Sequence, residues 1–296
     1  MSSIERYIDK LDKPSSSGAM PADAVMKESL ATAAGGEKKK KSTHLEATID
    51  FGRLQTAGIL TPESTQGRLA DEYRAIKRPL LKNAFGEGAG DIHHGNLIMV
   101  TSALPGEGKS FTAINLAMSM AMELDRTVLL VEADVTKPAV CRYCGIPEPR
   151  QGLVDYLADP GVELPDLLIK TNVPKLTLLP AGRRHATSAE LLGSHVMRDL
   201  MDQLANRYPD RIVIFDSPPL ILSSEAVTLS GFMGQIIMVV EAARTQQSIV
   251  KQAVALIDPN QIVGVVLNKN RTAEGAGYYG AYGGYGYGYG AVGQGG

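Results

Sequence analysis

The chain has 296 residues, 44% of them hydrophobic, enough for one or two domains with a substantial core. Thirty Lys and Arg face 32 Asp and Glu for a net charge of −2, which excludes a polycation built for nucleic acid and an acidic decoy. Cys141 and Cys144 are the only cysteines, so the chain is not a disulfide scaffold and fits a reducing compartment.

Residues 1–44 form a first zone, expected to be flexible. Ile4, Ile8 and Leu11 have the spacing of a short amphipathic helix, followed by Ser, Gly and Ala and then four lysines at 38–41. That run reads as a solvated linker, with contact to anionic lipid as the alternative. Charge at Glu5 and Arg6 falls where a signal peptide would be apolar. The longest uncharged run of core character, 226–240, is interrupted by Ser230, Gly231, Gly234 and Gln235 and is too short to span a bilayer. The expectation is a soluble cytoplasmic protein.

Residues 45–270 are expected to form one α/β domain. Asp50-Phe51-Gly52 matches the magnesium tripeptide of eukaryotic protein kinases, but the chain has no His-Arg-Asp loop, so the match is read as coincidence. Leu69, Tyr73, Ile76 and Leu80 predict a helix over 68–84, kinked or restarted at Pro79. Gly86, Gly88 and Gly90 form a loop with no helix after it. Buried strands are predicted at 97–101, 127–131, 176–179, 211–215, 235–240 and 262–267, and helices at 110–122, 151–158, 188–207 and 246–257. Continuous apolar strands separated by helices imply a mostly parallel sheet covered on both faces. Cys141 and Cys144 have metal or redox spacing, but His93, His94, His185 and His195 supply no matching ligands, so two reduced thiols are expected.

Ala103-Leu104-Pro105-Gly106-Glu107-Gly108-Lys109-Ser110 follows a predicted strand and opens a predicted helix, the context that makes a Walker A pattern a phosphate site. Glycines let backbone N–H groups curl around a phosphate, and the helix N-terminus adds positive potential. Pro105, Gly106, Glu107, Gly108, Lys109, Ser110 and Phe111 are therefore the candidate ATP contacts. Lys109 is expected at the β/γ oxygens and the Ser110 hydroxyl on Mg²⁺. Ala103 replaces the usual first glycine. Apolar strands also run into Glu132-Ala133-Asp134 and into Asp216-Ser217-Pro218-Pro219. Either segment alone could be a turn or cap acid; both together, after a P-loop, point to metal binding and catalysis.

Residues 271–296 hold eleven glycines and six tyrosines, Tyr278, Tyr279, Tyr282, Tyr285, Tyr287 and Tyr289, with too little else to build a core. A sticky low-complexity tail without chemistry is the bland reading.

With these motifs the chain resembles the bacterial tyrosine kinases, the P-loop autokinases of capsule and exopolysaccharide export. The segments Gly152-Leu153-Val154-Asp155-Tyr156-Leu157, Ser188-Ala189-Glu190-Leu191-Leu192 and Val265-Val266-Leu267-Asn268 extend the likeness over most of 66–270. The tyrosine tail looks most like that of the stand-alone, exosortase-linked type. The resemblance implies a P-loop NTPase-like fold and an ATP-dependent tyrosine autokinase with Lys109, Glu132, Asp134 and Asp216 as its catalytic set. Asp134, Asp216 and Ser110 would hold Mg²⁺, Glu132 would orient or deprotonate the incoming tyrosine, and Asn268 would read the adenine edge. It also implies trans phosphorylation of the tail, a ring-like homo-oligomer, an activating inner-membrane chain-length partner and a tyrosine phosphatase, with no nucleic-acid partner. The chain would sit in the cytoplasm, held peripherally at the inner membrane by that partner.

Three departures qualify the likeness. Glu132 and Thr136 replace the family's Asp and Arg, and the oligomerisation motif Glu-x-x-Arg-x-x-Arg becomes Asp71, Arg74 and Lys77, with Arg78 beside them. Lys lacks the bidentate fork of Arg. The rival class is a dimeric positioning or partition ATPase acting as a nucleotide switch; it carries a second lysine where this chain has Leu104.

Overall fold

The computed structural model describes residues 45–64 and 66–270. The expectations for 1–44 and for the tail tyrosines of 271–296 lie outside the described residues. The strands are β1 (Leu45–Ala47), β2 (Leu97–Ser102), β3 (Thr127–Glu132), β4 (Ile169–Thr171), β5 (Leu176–Leu179), β6 (Arg211–Asp216), β7 (Gln235–Glu241) and β8 (Ile262–Asn268). They form one sheet in the order β1-β4-β5-β3-β6-β2-β7-β8, parallel at every step except the antiparallel pair β4–β5.

The helices are α1 (Phe51–Thr56), α2 (Arg68–Phe85), α3 (Lys109–Ala121), α4 (Val140–Cys144), α5 (Leu153–Ala158), α6 (Leu164–Leu167), α7 (Ser188–Leu192), α8 (His195–Asn206), α9 (Ser224–Ser230) and α10 (Gln247–Val254). Alternate strand residues feed two cores. Ile98, Val100, Val128, Leu130, Ile212 and Ile214 pack beneath α3 and α2 on one face. Leu97, Met99, Leu129, Val131, Val213 and Phe215 pack against α8 and its neighbours on the other. Burying both faces is what requires the continuous apolar runs.

Two helical expectations change. The segment 188–207 is two helices, because Gly193 ends α7 and the Ser194 hydroxyl accepts from Met197 N to cap α8. Helix α2 runs through Pro79 without restarting. Pro79 and Ala75, whose carbonyl loses its partner, both lie on the solvent face, so the freed acceptor is not buried. Asp50 is a helix cap, its carboxylate accepting from Arg53 N at the start of α1. Among the described residues no helix is long and apolar enough to cross a membrane.

Candidate active site

β6 lies between β3 and β2, so the chain following each of these strands emerges at one sheet edge. The register sets Asp216 directly opposite Glu132 on one side and Val100 on the other. Backbone bonds lock this edge. Ala133 N and Asp134 N both donate to the Asp216 carbonyl, and Ser217 N donates to the Val100 carbonyl. The Ser217 and Thr101 hydroxyls reach the carbonyls of Val100 and Pro218.

The loop after β2 turns at Gly106 and Gly108, with φ of 84° and 103°, conformations that side chains resist. A Cβ on Gly108 would also lie 2.0 Å from Asn268 Nδ2. Gly108 then caps α3, aiming that helix's first N–H groups into the loop. Glu107 is 2% exposed and points inward, not toward the loop's open side. Its carboxylate accepts from Leu104 N at 2.7 Å, from Glu241 N at 3.3 Å and from the Thr245 hydroxyl. The Asn268 amide donates to the Glu107 carbonyl at 2.8 Å, and Lys269 Nζ donates to the Gly106 carbonyl at 2.6 Å. Lys269 also holds Glu241 and lowers its pKa. Glu241, Thr245 and Lys269 were not singled out from the sequence; no motif marks them, and only strand order brings the end of β8 beside the loop.

Lys109 Nζ pairs with Asp134 Oδ2 at 2.8 Å, with the two side chains 13% and 3% exposed. Asp134 Oδ1 accepts from Lys137 N, fixing the turn that follows β3. Asp216 is fully buried, and neither carboxylate oxygen has a hydrogen-bond partner among the described residues. Burial pushes its pKa up to about 7, against the opposing pull of the Lys109 charge and the Ser110 hydroxyl. The unsatisfied Asp216 carboxylate, the Asp134 carboxylate and the Ser110 hydroxyl are oxygen donors of the kind a hard divalent cation takes. The residues present fit Mg²⁺, with Ser110, Asp134 and Asp216 able to hold it.

Glu132 is brought to the same edge but is already engaged. Oε1 accepts from Val140 N at 2.6 Å and Oε2 from Ala181 N at 3.4 Å. Burial raises its pKa, against the pull of these backbone N–H groups. A cleft bordered by Pro138, Arg142, Glu148 and Pro180 opens onto it. Cys141 and Cys144 lie buried nearby as free thiols, and burial pushes the pKa of each up to about 12, which keeps them as thiols. Glu132→Gln keeps the shape but turns one acceptor into a donor facing a backbone N–H. It is expected to lower transfer to tyrosine far more than ATP binding, and to cost about 1–3 kcal/mol of stability through the loop contacts. Single-turnover transfer compared with nucleotide affinity tests this; an unchanged transfer rate would leave Glu132 only its role in holding 140 and 181.

The chain is similar to the tyrosine-protein kinase YwqD of Bacillus subtilis (strain 168), 32% identical over 188 residues that are 62% of this chain and 77% of that protein. It is similar to the succinoglycan biosynthesis transport protein ExoP of Rhizobium meliloti (strain 1021), 31% identical over 246 residues, 81% of this chain but 29% of that larger protein. Among solved structures, the kinase domain of VpsO superposes with a TM-score of 0.58 at 28% identity, covering 69% of this chain and 96% of that one. No family model matches the chain.

Proposed function

The chain belongs to the bacterial tyrosine-protein kinases, and on that premise we propose that it moves the γ-phosphoryl group of ATP onto its own C-terminal tyrosines, from one subunit to the next. The observation that carries the proposal is the meeting of Lys109, Asp134 and the unsatisfied Asp216 at the mouth of the glycine loop. Backbone N–H groups of 106–110 would cradle the phosphates, and Lys109 would leave Asp134 for the transferring oxygens. Bound at Ser110, Asp134 and Asp216, Mg²⁺ would neutralise charge on the β- and γ-phosphates. Glu132 would accept the proton from a tyrosine hydroxyl entering by the cleft beside Pro138 and Pro180. The remaining work is positioning, because phosphoryl transfer of this kind asks for little covalent chemistry from the protein. Asn268 is expected at the adenine edge, one end of its amide held by the loop.

Tyr278, Tyr279, Tyr282, Tyr285, Tyr287 and Tyr289 are the proposed acceptors, and a tyrosine phosphatase would reverse the modification. We place this activity in exopolysaccharide chain-length control at the cytoplasmic side of the inner membrane. The likeness to ExoP supports a polysaccharide-transport partner as activator. Assembly into a ring would use helix α2, though less of its charge is free than the sequence implies. Arg74 pairs with Asp71, while Lys77 is 7% exposed and bound to the Ser119 carbonyl and to Glu123 within the same chain. Arg78 remains exposed, and Arg74 and Lys77 line an open groove with Leu60, Ala70 and Met122, which leaves a mixed apolar and cationic face for a neighbour.

The direct test mixes a full-length Lys109→Met chain with an active chain lacking 271–296. A flexible glycine-rich linker of 26 residues would typically span about 30 Å, which sets the reach such a transfer between adjacent subunits needs. Phosphotyrosine on the inactive partner is the expected result. Its absence, when wild type labels itself, would overturn transfer between subunits.

A further inference from the structure

We propose that His93, His94 and Asp202 form a divalent transition-metal site, with Zn²⁺ as the ion its ligands suit, at the sheet edge opposite the phosphate loop. The histidines precede β2 whereas the loop follows it, so six strand residues, about 20 Å, separate the two. One potential ligand atom from each of the three residues lies within 4.8 Å of the others.

His94 carries the argument. Its side chain is 7% exposed, and its Nδ1 lies 3.2 Å from the Phe232 carbonyl. A carbonyl can only accept, so Nδ1 bears a proton and Nε2 is the nitrogen left to present a lone pair outward. Nε2 is buried without a hydrogen-bond partner among the described residues, although Asp202 Oδ1 is 3.1 Å away. A lone pair and a carboxylate at that distance repel unless a proton or a metal cation joins them, and the absence of hydrogen-bond geometry between them favours the metal. An ion about 2.0–2.1 Å from both atoms would see them at roughly 95–100°, between octahedral and tetrahedral angles. A ring N–H given to a backbone carbonyl is also the usual way a metal-binding histidine is oriented. The exposed His93 ring stacks on His94 with centroids 3.7 Å apart and has a ring nitrogen within 4.8 Å of the other two ligand atoms, so it becomes a third ligand by swinging out of the stack.

The backbone presets this arrangement. His94 has φ of 54°, a left-handed conformation costing a non-glycine residue about 1–2 kcal/mol. Leu97 N bonds the His94 carbonyl at 2.8 Å, and Gly234 lies so close that a Cβ there would come within 2.3 Å of the same oxygen. Two imidazoles and one carboxylate favour zinc-class ions over Mg²⁺, which prefers oxygen alone. Binding would tie the turn before β2 to α8. Spacing in the sequence conceals the site, since Asp202 lies more than a hundred residues beyond the histidines.

The experiment uses untagged full-length protein stripped with EDTA and titrated with Zn²⁺ at saturating Mg²⁺-ATP, which occupies the loop acids. One Zn²⁺ per chain and a melting temperature raised by several degrees are expected. His93→Ala and Asp202→Asn, both at exposed positions, should each weaken binding at least tenfold and remove the thermal shift. Co²⁺ in place of Zn²⁺ should give ligand-field bands without thiolate charge transfer, separating the site from Cys141 and Cys144. No Zn²⁺ binding, or binding untouched by both variants, overturns the proposal. So does a loss of stability in Asp202→Asn that is equal with and without Zn²⁺, which would mark a simple His94–Asp202 ion pair.

Discussion

Lys109→Met is expected to abolish autophosphorylation and, separately, to weaken the fold. The catalytic loss follows from removing the cation that meets the transferring oxygens; a preorganised charge of this kind is worth about 3–4 kcal/mol or more, at least a hundredfold in rate. The structural loss comes from Asp134, 2% exposed, whose Oδ2 is held by Lys109 at 2.8 Å. Met leaves that carboxylate with only the Lys137 N–H, and breaking a buried pair from one side costs about 3–5 kcal/mol. An inactive Lys109→Met protein could therefore be misread as an unfolded one. The double variant Lys109→Met with Asp134→Asn removes both charges and should recover most of the stability and none of the activity. Urea unfolding and a phosphotyrosine blot after Mg²⁺-ATP check the two arms. A folded Lys109→Met protein that labels itself at wild-type rate would remove the glycine loop from the mechanism.

How much of this was legible beforehand depends on the range of the interactions involved. Strands β2, β3, β5, β6, β7 and β8 fall within a residue of their predicted bounds. For the first five the reason is that a strand buried on both faces must be apolar throughout; β8, expected to be buried, is instead an edge strand with Val265 and Leu267 exposed. Five predicted ends stop one residue short of Ser102, Glu132, Asp216, Glu241 and Asn268, where the strands continue into polar residues. Strands β1 and β4 were missed: each has three residues, and Lys170 and Glu46 break any apolar run. The loop, its lysine and the strand-end acids were readable from order along the chain. What each side chain does there was not. Glu107 reads as a loop residue yet anchors the loop to Glu241 and Thr245, and Lys77 reads as an interface charge yet is bound within its own chain. Glu241 and Thr245 lie more than 130 residues from Glu107, a separation that spacing rules for local motifs do not reach.

Asp216→Asn is expected to stabilise the ligand-free protein at pH 8 while eliminating phosphoryl transfer. Asp216 is fully buried, its carboxylate oxygens lack hydrogen-bond partners among the described residues, and burial pushes its pKa up to about 7. In the unfolded chain the same group ionises near 3.9. Below about pH 4 both states are protonated and Asp216 imposes no charge penalty. Between about 4 and 7 the folded state keeps a proton that the unfolded chain has released, so the contribution to stability falls as pH rises and is fully lost above 7. Three pH units correspond to about 4 kcal/mol, from which a buried unpaired amide gives back about 1–3. Asparagine carries no charge at any of these pH values. Its advantage over wild type should therefore be small at pH 5 and largest at pH 8, when both are measured in EDTA by urea unfolding. Transfer should be absent throughout, since an amide is a poor ligand for the divalent cation that Ser110, Asp134 and Asp216 are proposed to hold. An Asn variant whose stability gain is the same at both pH values would remove the buried charge as the cause. One that is stabilised yet still phosphorylates tyrosine would separate Asp216 from catalysis and leave Asp134 as the essential acid. The expected combination, stability gained where activity is lost, is what a carboxylate held in an unfavourable place for the sake of its ligand should produce.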